Sequence, residues 1–484
     1  MHYKQPKNRD QLLLDAHMEN WVEQDSVVRL IDIIVDRLVE NNECCWSGSS
    51  NVGCTSYPPA ILLKLILYCY FNWIPGSRRM EKETYRNIEV MWLLGCLRPD
   101  HWTICKFRRE NKEFIRNSAI SFRKFLIDNG YIEGKAIFFD GSKMKAYASR
   151  DMLSEKSLLN RISNIEQQLE KYLENVEETD NLEGMLEQEM KEKETLKKEI
   201  EKLKLEKTKL EHLKKQMDEL GVKYLSPADP DAKLMKSRDG KIAGYNVQTG
   251  VDPKHRMIAL AEISTDQCDI NLLKENYENL KEQLGINPED IIADKGYANI
   301  DALKEISQNN KTLCYVPIPE PFSKAKDRGN GIQFTYNQQE DCFVCPNNKR
   351  LHLVRKAEKK NGKLQDRYQC KDCENCPLRD KCTKSKIGRT IYVNPDRQWI
   401  SDHRQWLNKT ENKNRIKERK TIVEHPYGTI KMIMGKFCFI LRKKPKVQIE
   451  LDIYSTIYNL KRLINIENRD NLLEIVKNYN WRLT

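Results

Sequence analysis

Two rhythms of apolar residues run along the chain and divide it. Up to about residue 130 the spacing is helical. Pro58 and Pro59 stand where a helix can begin, and Ile61, Leu62, Leu65, Ile66, Tyr68 and Cys69 give it an apolar body. Gly76, Ser77, Arg78 and Arg79 break that helix and open the next. Arg98, Pro99 and Asp100 then lead into HWTICKFRREN, a predicted helix with Thr103 as its expected cap and Lys106, Arg108 and Arg109 along it. Between residues 151 and 220 Gly and Pro nearly vanish and Glu and Lys dominate. There Leu158, Ile162, Ile165, Leu169 and Leu173, then Leu196, Ile200, Leu203, Leu210 and Met217, fall at heptad-like steps, which is coiled-coil patterning. A break at EETDNLEG, residues 177–184, would let two arms fold back as an antiparallel hairpin, while one long dimerising helix fits the same pattern.

The second rhythm is that of short buried strands. In KAIFFDGSKMKA, residues 135–146, the run Ala136–Phe139 leads to Asp140 and the turn pair Gly141 and Ser142, so Asp140 is expected at or near a strand end. Ala243–Val251 and Met257–Ser264 flank the turn DPKHR and read as a hairpin, followed by a helix over 270–284. In DIIADKGY, residues 290–297, Ile291, Ile292 and Ala293 run into Asp294, with Gly296 for a tight turn. A third acid, Glu424, lies in TIVEHPYGTIK, just ahead of an expected helix or turn carrying Lys431. One acid at a strand end merely caps a loop. Three on separate elements can hold two Mg²⁺ ions about 3.5 to 4 Å apart for in-line phosphoryl displacement.

FFDGSK, ADKGY and VEHPYGTIK resemble the three catalytic blocks of bacterial insertion-sequence transposases of the DDE type, nearest the eleven-eighty-two group and related to the insertion-sequence four superfamily. Residues 57–82 and 98–111 are similar to that group's amino-terminal domain, and residues 229–248 to its segment between the first two acids. The resemblance implies an α/β protein with an RNase H-like catalytic core. Asp140, Asp294 and Glu424 would be its catalytic, metal-holding acids, with two Mg²⁺ or Mn²⁺ ions as cofactors. It also implies a phosphate contact for Lys431, seven residues after Glu424 and about two helical turns along. Where the family places a Tyr and an Arg before the Glu, this chain has Lys417 and Lys420, which leaves their roles and those of Arg415 and Arg419 open. Arg108 and Arg109 become candidate DNA contacts through the resemblance, since spacing alone fits an ordinary basic helix face equally well.

Cysteines cluster within residues 342–382, as Cys342 and Cys345 in one CxxC and Cys370, Cys373 and Cys376 in a CxxCxxC, with Cys382 six residues on. Paired knuckles about 25 residues apart are a structural-zinc signal, because thiolates so spaced converge on one ion. Unliganded core cysteines are the plainer alternative. By resemblance to the family's CxxCxLRxxC pattern, Cys345, Cys373, Cys376 and Cys382 are favoured for Zn²⁺, with Cys342 and Cys370 as alternates.

Composition adds a partner and a place. The 484 residues carry 83 Lys and Arg against 71 acids, a net charge of +12, which suits polyanionic double-stranded DNA. The density is highest from Glu411 to Lys446, with eleven Lys or Arg against three acids around Glu424. The absence of an 18-residue apolar run or a signal-peptide core argues against a membrane and for a cytoplasmic, nucleoid-associated protein, and 15 cysteines there argue for thiols or metal rather than disulfides.

The expected organisation is a helical DNA-binding domain over 1–130 and a catalytic core over 131–150 and 223–335, interrupted by a coiled-coil insertion over 151–222. A zinc-ribbon-like insertion over 336–392, the rest of the core with its basic block over 393–465, and a tail over 466–484 complete it. The expected activity is cleavage at the terminal inverted repeats of an insertion sequence and joining of the freed 3′ hydroxyl to target DNA, by a homodimer on paired ends. A non-catalytic DNA-binding protein descended from a transposase is the alternative, against which the three intact acids speak.

Overall fold

A computed structural model gives the fold and describes residues 17–40, 57–148, 152–180, 187–237, 240–319, 332, 334–337, 339–360, 363–434 and 438–481. These form two compact units, one drawn from residues 1–269, 276–286 and 422–484, the other from 270–275 and 287–421.

The first unit opens with α1 (Val27–Glu40), α2 (Pro59–Phe71), α3 (Ser77–Arg86), α4 (Ile88–Leu93), α5 (His101–Glu110) and α6 (Lys112–Asp128). Helix α2 starts at Pro59, whose missing N–H costs nothing in a first turn, and it is buried from Leu62 to Tyr70, as a helix apolar on every side must be. Helix α5 is capped by Asp100, whose carboxylate accepts from the Thr103 N–H at 2.8 Å. That corrects the expectation of Thr103 as cap: the acid three residues earlier is already placed to take an orphan first-turn donor.

Strand β1 (Ala136–Lys145) is followed by β2 (Leu153–Ser154), α7 (Glu155–Asp180), α8 (Glu187–Leu220), β3 (Tyr224–Leu225), β4 (Lys233–Ser237), β5 (Gly240–Val251), β6 (Ile258–Ser264) and α9 (Leu272–Leu284). Strand β5 is the hub. It pairs antiparallel with β1 from Phe138↔Val251 to Lys145↔Gly244, with β6 from Asn246↔Ser264 to Val251↔Ile258, and with β4 from Lys233↔Gly244 to Ser237↔Gly240.

Helices α7 and α8 pack on each other within the chain. Leu158, Ile165, Leu169, Ile200, Leu210 and Met217 share one buried cluster, Ile162 and Leu203 lean on it, and Lys207 reaches Glu166 at 2.7 Å. Strands β2 and β3 close the base of the pair, so the two arms fold back on one another. Leu173 stays 44% exposed; of the expected break at 177–184, residues 177–180 are still helix in α7, and 181–184 lie outside the described residues, as does the Leu196 side chain.

In the second unit β7 (Asp290–Ile292), α10 (Ile300–Asn310) and β8 (Leu313–Tyr315) form a strand–helix–strand crossover, with β7 and β8 parallel. Strands β9 (Thr335–Asn337), β10 (Cys342–Val344), β11 (Arg350–Lys360) and β12 (Lys363–Cys370), the short helix α11 (Arg379–Cys382) and strand β13 (Arg389–Val393) follow. The five strands form one sheet in the order β13-β12-β11-β10-β9. Helix α12 (Arg397–Leu407) starts on Arg397, whose guanidinium donates to Asp341 at 2.8 Å and Asp366 at 2.9 Å and lies over the ring of Tyr336. Helix α13 (Thr410–Met434) begins in this unit and runs into the first.

Helix α14 (Lys444–Ile466) and then α15 (Arg469–Asn478) complete the first unit. Helix α14 is its axle, buried at Val447, Ile449, Leu451, Ile453, Tyr454, Ile457, Tyr458, Leu460 and Leu463. Its Gln448 and Asn459 also bond the backbone of β6, at Ile263 N–H (2.7 Å) and Ala261 carbonyl (2.9 Å), and at Ile258 N–H (2.8 Å) and carbonyl (2.9 Å). An otherwise open strand edge is thereby satisfied by side chains. Buried Asp452 is met by Arg116 at 3.2 Å and Arg123 at 3.4 Å, so the charge is paired inside the core. Among the described residues no helix is long and apolar enough to cross a membrane.

Candidate active site and cysteine cluster

Asp140 sits in the middle of β1, not at its end. The pairs Gly141↔Gln248, Ser142↔Val247 and Lys143↔Asn246 carry the strand on past the supposed turn. Gly141 is there for closeness: a Cβ on it would stand 2.6 Å from Gln248 Nε2 and 2.7 Å from Asp269 Oδ1. Asp269 Oδ1 accepts from Lys143 Nζ (3.0 Å), Asn246 Nδ2 (2.7 Å) and Gln248 Nε2 (2.9 Å), and Gln248 in turn accepts from buried Asn276 (3.0 Å). This polar net stiffens the strand beside Asp140. Directly across from Asp140 on the same side of the sheet is Thr249, whose buried hydroxyl has no hydrogen-bond partner among the described residues.

Glu424 lies inside α13, fourteen residues past its first residue, where the sequence suggested the start of a helix or a turn. Pro426 stands inside this helix and has no N–H for the carbonyl four residues back. The helix continues because its neighbours hold it. Tyr427, one turn beyond Glu424, brings its buried hydroxyl to 2.8 Å from the carbonyl oxygen of Asp140 and 2.9 Å from that of Val247. Beyond the helix, the Phe439 N–H donates to the Lys145 carbonyl at 3.0 Å and Cys438 pairs with Lys145. The backbone of Asp140 and the helix of Glu424 are thus tied together from two points. Glu424 itself is exposed and Asp140 half-buried. Lys431 shares the Glu424 face, with its Nζ 6.0 Å from the Tyr427 ring centre.

Asp294 lies in the second unit, where it caps the single turn Lys295–Tyr297 by accepting from the Gly296 N–H at 2.7 Å. Arg415, also there, is bound to Asp290 at 3.1 Å and to Glu418 at 3.4 Å. Lys420 is exposed and Arg419 half-buried on the same helix.

Arg108 needs correction as a DNA contact. It is 2% exposed, and its guanidinium donates to the Tyr70 hydroxyl at 3.1 Å and the Pro75 carbonyl at 3.2 Å. Residues 104, 107 and 108 share the inner side of α5, so this cation belongs to the core while Arg109 faces water and pairs with Glu110 at 2.8 Å.

Cys345, Cys370, Cys373, Cys376 and Cys382 line one small cavity of about 20 Å³ in the second unit. Cys345 stands in a turn after β10 where the Lys349 N–H points at its sulfur (3.3 Å), and the Asn347 amide donates to Cys376 Sγ at 3.5 Å. Burial pushes the Cys382 thiol up to about 11, reinforced by Cys373, Cys345 and Cys376 facing it. Burial, then the hydrogen bond with Cys373, pushes Cys370 up to about 11 as well. Cys342 does not line the cavity; it is buried on β10 with its sulfur 3.5 Å from Glu340. Among the described residues no group of three or more His, Cys, Asp or Glu side chains is set to hold a metal ion, so the thiols share a cavity without being drawn to ligand geometry.

Sequence reasoning missed Tyr427, Asp269 and the 438–439 segment. Their partners lie far away in the chain, and no local pattern marks them. Residues 344–464 match the family described as a Transposase DDE domain, a span that includes Glu424, Lys431 and the cavity cysteines but neither Asp140 nor Asp294. Residues 16–110 match a Transposase domain (DUF772), a span that includes α1 to α5. No curated protein matches the chain. A DDE domain implies dependence on a divalent metal in general, and the two matches together support an insertion-sequence DNA transposase of the DDE type.

Proposed function

We propose that the protein cuts the phosphodiester at the ends of its own element and joins the freed 3′ hydroxyl to target DNA, with Asp140, Asp294 and Glu424 as its acids. The observation that carries this reading is the Tyr427 tie, which fixes the strand of Asp140 to the helix of Glu424 across 287 residues. Order supports it too: an acid-bearing antiparallel strand with a hairpin, then a helix, then a parallel strand pair leading to the second acid, is what an RNase H-like core requires.

The donor set fits hard cations. Carboxylate oxygens are the ligands Mg²⁺ and Mn²⁺ take, and the unpartnered Thr249 hydroxyl leaves a further polar atom on the Asp140 side of the sheet. Ions held by the three acids would lower the pKa of an attacking water and stabilise the leaving 3′ oxygen. The chain's own contribution is placement. Tyr427 and the Phe439–Lys145 bond hold Glu424 toward β1, the Asp269 net keeps β1 from shifting, and Lys431 with Lys420 and Arg419 offers positive charge to the DNA backbone. Thiolates are the ligands a soft, tetrahedral ion takes, and four of the cavity cysteines, Cys345, Cys373, Cys376 and Cys382, would hold a structural Zn²⁺ once drawn to ligand geometry.

The test is Mg²⁺-dependent cleavage of DNA carrying the sequences that flank the gene. Wild type should cut at the repeat ends, and Asp140→Ala, Asp294→Ala and Glu424→Ala should each lose at least about a thousandfold, or ~4 kcal/mol of barrier, while still binding the ends. A variant that keeps full strand transfer removes its residue from the site. Salt-sensitive binding without cleavage by wild type would leave a DNA-binding protein in place of an enzyme.

A further inference from the structure

Helices α3 and α5 lie side by side in opposite directions. Ser77 meets Cys105 at 3.1 Å and Glu81 meets His101 at 2.8 Å, so the start of each helix faces the middle of the other. Both turn the same kind of residue inward: Met80, Glu83 and Thr84 on α3, and Ile104, Phe107 and Arg108 on α5, are buried. The outward stripes repeat one pattern. On α3 it is Arg78, Lys82 and Tyr85; on α5 it is Trp102, Lys106 and Arg109; all six are exposed at steps of four and three, one helical face each.

Two large aromatics on this face are held in water rather than packed away. Tyr85 is 56% exposed with the Arg98 guanidinium 4.7 Å from its ring centre, and Trp102 is 58% exposed with Lys106 Nζ at 5.2 Å. The acids nearby are engaged: Glu81 with His101, Glu110 with Arg109, and Asp100 with the Thr103 N–H it caps. A merely solvated basic face has no use for an exposed Tyr and Trp. Cations interleaved with aromatics meet phosphates with the first and sugar or base faces with the second. Packed helix axes stand about 8 to 10 Å apart, so the two stripes lie next to each other as one face.

We propose that this α3–α5 face, with Arg78, Lys82, Tyr85, Trp102 and Lys106 as its contacts, is the duplex-DNA docking surface of the amino-terminal helices. The inference rests on the transposase reading and replaces buried Arg108 with residues that can reach a phosphate.

Binding of the full-length protein to a labelled duplex from the gene's flanks tests it, without added Mg²⁺ so that cutting does not intervene. Arg78→Gln/Lys82→Gln/Lys106→Gln should weaken binding about 10- to 100-fold and lower the slope of log affinity against log salt by about two to three, one unit per lost phosphate contact. The matched control Lys202→Gln/Lys209→Gln/Lys215→Gln, exposed on α8, removes the same charge and should leave both unchanged. Trp102→Ala should cost about tenfold with the slope intact. Equal weakening by both triple variants, or none by the first, overturns the proposal while the transposase reading stands. A wild type that does not bind duplex at all brings down that reading and this surface with it.

Discussion

The strand of Asp140 and the cysteine cavity both bring separate stretches of chain together, and they do so over opposite sequence ranges. The cysteines from Cys345 to Cys382 close within 38 residues, on two turns, the end of β12 and a helix of four residues. Their grouping is local, so CxxC spacing announces it. The strand of Asp140 and the helix of Glu424 are tied from afar: Tyr427 reaches back 287 residues to the Asp140 backbone, and Phe439 meets Lys145. Local assembly needs only turns and the β10–β11–β12 pairing, and it leaves Cys382 half-buried with its thiol pKa raised by burial and by its cysteine neighbours. Distant assembly needs a folded core, here the α14 axle and the β5 hub, before the helix of Glu424 can be tied to the strand of Asp140. One site should therefore yield to loss of its ligand, and the other to loss of its ties.

The largest expected effect is on the local site. Cys373→Ser should lower bound zinc and cost about 4 kcal/mol or more, on the order of 10 °C in melting temperature for a unit of this size. Metal analysis with a thermal scan checks it. Cys342→Ser, which touches no cavity wall, should leave the zinc content unchanged; equal loss from both would dissolve the distinction drawn between the cysteines.

Tyr427→Phe probes the distant assembly. Losing one buried hydroxyl donor should cost about 1 to 2 kcal/mol of stability. It should slow cleavage about tenfold at unchanged duplex affinity, because Glu424 would be less firmly set against β1. Cleavage kinetics beside a binding titration separate the two, and a normal rate would strike Tyr427 from positioning.

The smallest effect is on pH dependence. Glu450, fully buried on α14, accepts from the Ile440 and Leu441 N–H groups at 3.0 and 2.8 Å, just after the segment that meets β1. Burial pushes its carboxyl up to about 7 from 4.5, outweighing the backbone N–H groups that lower it. The folded protein thus holds this proton more tightly than the unfolded chain does. The stability it lends is present below about pH 4.5 and is lost as pH rises through about 7. Glu450→Gln should flatten the fall in stability between pH 5 and 8, seen by denaturant titration at several pH values; an unaltered slope would place the titration elsewhere.

Much of this was legible in the chain. The apolar rhythm of residues 61–69 made α2, heptad steps made the α7–α8 pair, and β-rich runs around DPKHR made the β5–β6 hairpin. Where the reading failed, a long-range partner had overruled a local signal. Gly141 and Ser142 looked like a turn, yet pairing with β5 extends the strand through them. Glu424 was expected just ahead of a helix or turn, yet it lies inside α13, which Tyr427 anchors to β1. Arg108 looked like a surface cation, yet the turn of α5 puts it beside Tyr70.

The sequence by itself determined the kinds of element, the local knuckles of cysteine and the excess of positive charge, because each depends on neighbours within a few residues. Only the tertiary structure decided which basic side chains face water, where along its strand Asp140 lies, and what ties its backbone to the helix of Glu424. Those outcomes depend on which distant backbone groups remain to be satisfied once the core has closed.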